Sequence, residues 1–426
     1  MIANKALRPS MLVGLILAVC FAGQAAQAST VVVGTCKTGV QFATIQAAVT
    51  ASPAGGTVDV CPGTYPEQVV INKSLTVIGI ASGTSDAAVV VVPAGGVVQN
   101  ATDIYGNPVA AQIFVESATG VTISHLTVDG SNNGISNCSL DLEGIYYQNS
   151  SGTITDNAVR NQLNPSGLQG CQTGLAINVE SNSGTPAVTI SSNSVRNYDK
   201  NGITVSGLGG GPAGPYAAVK GNTVIGLGAT GVIAQNGIQI GFGATATVSG
   251  NYVADDIYTG PYYGSSGILI YASTGVTVTG NTVESAQLAI VPASDPTYGS
   301  GDGAMITSNH IGGTQTYDAI DLCSSSNTAS SNTIFGSAQS AIHSDDECPG
   351  PGTDASGNNN TVQKNTINEA CAGILEGSGT GNTYSMNTFQ NVTYTLLAGD
   401  SCPLLASEAT TKHKSLRTSP YIANGK

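Results

Sequence analysis

The stretch Gly275-Val276-Thr277-Val278-Thr279-Gly280-Asn281-Thr282-Val283 alternates apolar and polar residues, broken by a Gly-Asn turn. A period of two sends Val276, Val278 and Val283 to one face of a strand–turn–strand unit and the threonines to the other. The pattern recurs along the chain. Asn-x-Val/Ile/Phe occurs at Asn157, Asn193, Asn222, Asn251, Asn281, Asn309, Asn332, Asn365 and Asn387, spaced 22 to 36 residues apart. A second series interleaves with it: Gly144-Ile145, Gly174-Leu175, Gly202-Ile203, Gly237-Ile238, Gly267-Ile268, Ala289-Ile290, Ala319-Ile320, Ala341-Ile342 and Gly373-Ile374. Each repeat therefore holds at least two short strands. Between residues 120 and 395 nothing sustains an amphipathic 3.6-residue period over three turns, which disfavours paired-helix solenoids. Propeller blades need about 40 residues, more than the shortest repeat of 22. A coil of two or three short strands fits, with loop insertions filling the longer repeats. The expected fold is all-β, a parallel β-helix whose Ile145, Leu175, Ile203 and their successors form one internal column.

Composition agrees. Of 426 residues 9% are charged, 41% are hydrophobic and 55 are Gly. This is too apolar for a disordered chain and rich in turn formers. The net charge of −13 argues against a nucleic-acid partner, which needs a basic footprint. Residues 1–28 read as an export signal, with Lys5 and Arg8, an apolar run from Met11 to Gly23, and Ala26-Gln27-Ala28 as the cleavage site. That run is too short to span a bilayer and no later segment is long enough. The mature chain, with 11 cationic and 26 acidic residues, carries −15 and is expected to be secreted, extracellular or periplasmic, and monomeric. Its eight cysteines fall into four sequence-local pairs, 36/61, 138/171, 323/348 and 371/402, as expected of disulfides in an oxidising compartment. A repeat domain over 29–402 (cap 38–80, repeats about 115–395) and a polar tail at 403–426 complete the organisation.

On these repeats the chain resembles the right-handed parallel β-helix proteins, the pectin-lyase-like superfamily, over roughly residues 38–395. The run Phe42-Ala43-Thr44-Ile45-Gln46-Ala47-Ala48-Val49, followed by Val58-Asp59-Val60-Cys61-Pro62-Gly63-Thr64-Tyr65 and Leu75-Thr76-Val77-Ile78-Gly79, is similar to the start of pectin methylesterases. The resemblance implies a short N-terminal capping helix over the open end of the solenoid, where apolar residues and strand edges need cover. It does not carry an activity. Polygalacturonases carry Asn-Thr-Asp, then Asp-Asp, then Gly-His-Gly, whereas this chain has Asp345-Asp346 and His343 in another order and without flanking glycines; the Asp-Phe-Ile-Phe-Gly strand of pectin methylesterases and the Asp-Pro-His of alginate epimerases are absent. Pectate lyases use an Arg or Lys base, whereas between residues 100 and 395 the only cations are Arg160, Arg196, Lys200, Lys220 and Lys364.

Aligning the Gly/Ala positions stacks the outward residues by counting. Most are neutral, but Asp318 and Asp321 fall on one coil and His343, Asp345, Asp346 and Glu347 on the next. Asp321 then stacks on His343, with Asp345 about 8 Å from Asp321 by strand geometry, the spacing of an inverting acid–base pair. Asp318, Asp321, His343, Asp345 and Asp346 are the candidate catalytic residues. Aromatic rings beside carboxylates suit sugars, which makes Tyr258, Tyr262 and Tyr263, near Asp255-Asp256, and Tyr271 on the outward row candidate substrate contacts. No cofactor is demanded. Asp345-Asp346-Glu347 could hold Ca²⁺ without catalysis, or be solvated surface. The expected partner is a polysaccharide, the expected function carbohydrate-active chemistry of the hydrolase or lyase kind. The alternative is a non-catalytic extracellular surface or glycan-binding scaffold.

Overall fold

The computed structural model describes Met1 and residues 29–81, 86–210, 213–261, 264–313, 316–345, 357–399 and 401–402. The export signal from residue 2, the 403–426 tail, Tyr262, Tyr263, Asp346 and Cys348 lie outside the described residues. The chain winds as a parallel β-helix. One ladder of 14 strands runs from Val40–Phe42 and Thr30–Val33, through Gly56–Val60, Leu75–Gly79 and Val121–Ser124, to Thr383–Ser385. At about 4.8 Å per strand this makes a stack roughly 60 Å long. It is longer than the nine repeats require, because strands from residue 30 onward already join the ladder.

Two further parallel ladders close each coil. One carries Asp141–Gln148, Leu175–Glu180, Asn201–Ser206, Asn236–Gly241, Ser266–Tyr271, Leu288–Ala293 and Ile320–Asp321. Its inner column is Ile145, Ile177, Ile203, Ile238, Ile268, Ile290, Ile320, Ile342 and Ile374, all buried in one continuous core. Each such side chain contributes about 1.5–3 kcal/mol in transfer terms. One expected member is displaced: Ile177, not Leu175, pairs with Ile145 and Ile203, and Leu175 stacks instead on Glu143 and Asn201. The small residue before each isoleucine is required by close packing. A Cβ on Gly202 would meet Val224 Cγ1 at 2.4 Å and the Gly237 carbonyl oxygen at 2.6 Å.

The recurrent asparagines form a buried amide ladder. From Asn157 to Asn365, each backbone N–H and each side-chain Nδ2 donates to the Oδ1 of the next asparagine at 2.9–3.1 Å. The left-handed position is the residue before each asparagine: Asp156, Ser192, Gly221, Gly250, Gly280, Ser308, Ser331, Lys364 and Met386. His125, which by sequence replaces a ladder asparagine, occupies that left-handed position (φ 56°), and Leu126 N–H begins the ladder by donating to Asn157 Oδ1.

The one helix among the described residues, Ile45–Ala51, packs Ile45, Ala48 and Val49 into the core beside Thr30–Val33. Thr44 Oγ1 accepts from Ala47 N–H, and Glu67 accepts from the N–H groups of Ile45 and Gln46. These contacts satisfy the helix's unpaired first donors. Disulfides join Cys36–Cys61, Cys138–Cys171 and Cys371–Cys402, and Cys323 is also disulfide-bonded. No helix among the described residues is long and apolar enough to cross a membrane.

The ladder makes a direct stability prediction. Asn251→Ala leaves the Asn222 donors without their acceptor and is expected to cost at least about 2 kcal/mol in denaturant unfolding. Thr223→Ser, on the exposed side of a strand, should stay within about 0.5 kcal/mol. Equal effects at the two positions would deny the ladder its structural role.

Candidate functional site

The outward rows of the ladder from Asp141–Gln148 to Ile320–Asp321 hold the candidate residues. With the register read from strand pairing, one row runs Tyr146, Asn178, Thr204, Gln239, Leu269 and Val291. Beyond Val291 the stack reaches Asp321, then His343 and Leu375. Asp321 pairs directly with His343. Asp318, just before this strand, accepts on Oδ1 from Ser340 N–H at 2.9 Å and on Oδ2 from Gln339 Nε2 at 3.4 Å. The following coil thus fixes its carboxylate against the imidazole.

Four side chains converge here. His343 Nδ1 lies 3.4 Å from Asp318 Oδ2, 3.8 Å from Asp321 Oδ1 and 3.8 Å from Asp345 Oδ2. Carboxylate oxygens of Asp321 and Asp345 come within 4.8 Å of each other. The expected separation of about 8 Å measures backbone geometry, and the side chains lean together across it. All four residues are buried, at 0% exposure for Asp318 and His343 and 4% and 2% for Asp321 and Asp345. The expected open acidic face is therefore a covered pocket of charge. Burial pushes the Asp321 carboxyl well up, and Asp345 and Asp318 add to this against the lowering influence of His343. Burial works against the charged form of His343, but Asp345, Asp318 and Asp321 outweigh it and push the imidazole up to about 10. Both directions favour a charged imidazole beside a protonated Asp321, which makes Asp321 the candidate proton donor.

Two of the candidate tyrosines lie among the described residues. Tyr258 and Tyr271 are buried and present no ring face to a sugar. Tyr271 donates to Asp295 Oδ2 and packs edge-on against Phe242, with 5.4 Å between ring centres. Phe242, Leu269, Tyr271, Val291 and Tyr298 form a separate apolar cluster over the outward face. Asp256, expected on a loop, lies within the strand Tyr252–Tyr258 and accepts from the Tyr198 hydroxyl at 2.7 Å, with its carboxyl pushed well up by burial.

A second acidic group went unread in the sequence. Asp103, Asp141, Glu143 and Glu180 are all buried at the other end of the face. Tyr146 donates to Glu180 Oε2 at 2.8 Å, and Asn178 Nδ2 donates to Glu143 Oε1 at 2.9 Å. The two-residue slip at Gly174-Leu175 hid it. Counting from Gly174 put Ala176 and Asn178 on the two outward rows, where the true residues are Asn178 and Glu180. Preferring Ala176-Ile177 to Gly174-Leu175 would have recovered them.

Comparison with known proteins agrees with this architecture. A family profile described as "Right handed beta helix region" matches residues 213–389, and one described as "Periplasmic copper-binding protein (NosD)" matches 94–299. No curated protein matches the sequence significantly. Among solved structures the chain is similar to the GH136 lacto-N-biosidase from Eubacterium ramulus, at 11% identity and TM-score 0.55, covering 86% of this chain and 67% of that one. It is also similar to PfbA, a surface adhesin of Streptococcus pneumoniae, at 14% identity and TM-score 0.50, covering 82% and 87%. A third is the Dettilon tailspike protein, at 16% identity and TM-score 0.50, covering 79% and 62%. Identities this low show a shared fold alone. The molecule is a right-handed parallel β-helix.

Buried carboxyls give the stability a pH dependence. Burial pushes Glu180 from 4.5 up to about 7 and Asp141 from 3.8 up to about 8. Both bind protons more tightly folded than unfolded. Their contribution is in place below about pH 4 and is lost as pH rises through 7 to 8. Glu180→Gln should therefore gain stability relative to the parent between pH 5 and 8.5 in denaturant titrations. A pH-independent difference would show that Glu180 does not titrate in this window.

Proposed function

We propose that the protein is an exported carbohydrate-active β-helix that hydrolyses a polysaccharide at the Asp318–Asp321–His343–Asp345 centre. The observation that carries this reading is the approach of Asp321 and Asp345, oxygens within 4.8 Å, from adjacent coils. Retaining glycosidases hold their carboxyl groups about 5–5.5 Å apart and inverting ones about 6.5–9.5 Å. The pair supports retention rather than the inversion that backbone spacing suggests. Asp345 attacks the anomeric carbon while Asp321 gives its proton to the departing glycosidic oxygen. Asp321 then takes a proton from the water that releases the sugar from Asp345. His343 and Asp318 are positioning residues: the imidazolium holds both carboxyl groups, and Asp318 holds the ring. The disulfides and the N-terminal signal sequence support export, and a mature charge of −15 favours a neutral glycan over a polyanion.

A second reading is a non-catalytic surface or glycan-binding scaffold, favoured by the burial of all four residues. A polymer reaches the pair only after the covering residues part.

Incubation of the mature protein with plant and microbial polysaccharides, with and without Ca²⁺, separates the readings. Reducing ends should appear without unsaturated-uronate absorbance and fall at least about 100-fold in Asp321→Asn with Asp345→Asn. Absorbance dependent on Ca²⁺ would replace this reading with a lyase. Silence from the folded protein across the panel would favour the scaffold.

A further inference from the structure

We propose that Asp318, Asp321 and His343, with Asp345 beside them, form a binding site for a divalent first-row transition-metal ion such as Zn²⁺. The donor atoms have the spacing of a coordination shell. Zinc takes imidazole nitrogen at about 2.0–2.1 Å and carboxylate oxygen at about 2.0–2.2 Å, so tetrahedral ligands stand about 3.3–3.6 Å apart. His343 Nδ1 stands 3.4, 3.8 and 3.8 Å from one oxygen of each of three aspartates. One oxygen of Asp318, one of Asp321 and one nitrogen of His343 also lie within 4.8 Å of one another.

A second observation points to a cation. Asp321 Oδ1 is buried, faces His343 and has no hydrogen-bond donor. A buried carboxylate oxygen left this way costs about 1–3 kcal/mol or more, a cost that a bound cation removes. Three acidic side chains around one imidazole also leave a buried centre short of positive charge, which a cation supplies.

The ligand set selects among ions. An imidazole beside carboxylates suits zinc, copper or nickel, whereas calcium takes six to eight oxygens. Cys323 lies close to Asp321 and Asp345, but as a disulfide sulfur it offers no thiolate. The site differs in kind from the acidic group around Glu143 and Glu180, where no three potential ligand groups come together as closely. Burial that excludes a polymer admits a small ion.

If the hydrolysis proposed above is correct, the ion acts as its off-switch, because a carboxyl oxygen bonded to metal cannot deliver a proton. The binding itself does not depend on that reading. The test is calorimetric titration of the chelator-stripped full mature chain with Zn²⁺, Cu²⁺, Mg²⁺ and Ca²⁺, together with thermal unfolding with and without each ion. One Zn²⁺ per chain should bind and raise the melting temperature, with Mg²⁺ and Ca²⁺ far weaker. His343→Gln and Asp321→Asn should each weaken Zn²⁺ by more than the about 10- to 100-fold lost with an outer-shell partner. Glu143→Gln should leave binding unchanged. Circular dichroism confirms that each variant is folded, and Asp318→Asn replaces any that is not. No stoichiometric binding, or binding that survives these substitutions at a surface histidine such as His310, overturns the inference. Polysaccharide cleavage without Zn²⁺ binding would overturn the metal site alone. Zn²⁺ binding with no cleavage by the stripped protein would overturn the hydrolase alone.

Discussion

Everything in this molecule depends on coils stacking in register. Each strand takes its backbone partners from the coil before and the coil after, so equivalent side chains sit about 4.8 Å apart along the axis. That spacing suits aliphatic contact, which makes the isoleucine column, and amide hydrogen bonding, which makes the asparagine ladder. The two rows enforce each other. A slip of one residue would turn the isoleucines outward and separate the asparagines, so register is specified twice in every coil.

The same constraint builds the candidate centre. Asp321 and His343 are 22 residues apart in the chain and become direct neighbours because their isoleucines, Ile320 and Ile342, occupy successive places in the inner column. A stacked outward row places like side chains together, and where those are carboxyls the result is electrostatic tension. The chain relieves it by burying a histidine among the aspartates at one end. At the other it keeps Asp141, Glu143 and Glu180 in their neutral forms more readily than isolated carboxyls.

Burial is the feature that most changes the functional picture. The long repeats insert loops that fold over the outward face, and their apolar side chains, Phe242 and Tyr298 among them, pack against Tyr271 and one another. The Tyr271 ring, which the sequence suggests as a sugar contact, packs against these side chains instead. The acidic centre is likewise buried, so its carboxyls and imidazole face one another and not open water.

The sequence by itself determined the coil, the repeat of the asparagines, eight of the nine members of the inner column and the pairing of Asp321 with His343, since each rests on a short-range period that stacking repeats; that the asparagines bond in a ladder, with the left-handed turn one residue earlier, was decided by the structure. It misjudged one coil, where Gly174-Leu175 and Ala176-Ile177 satisfy the same pattern two residues apart, and so lost Glu180 and its neighbours. Only the tertiary structure could choose between them, because the choice depends on which residue meets Ile145 and Ile203 in the core. It also decided how near Asp321 comes to Asp345 and that both are buried. Those depend on side-chain direction and on loops packing from distant coils, and no local period in the sequence encodes either.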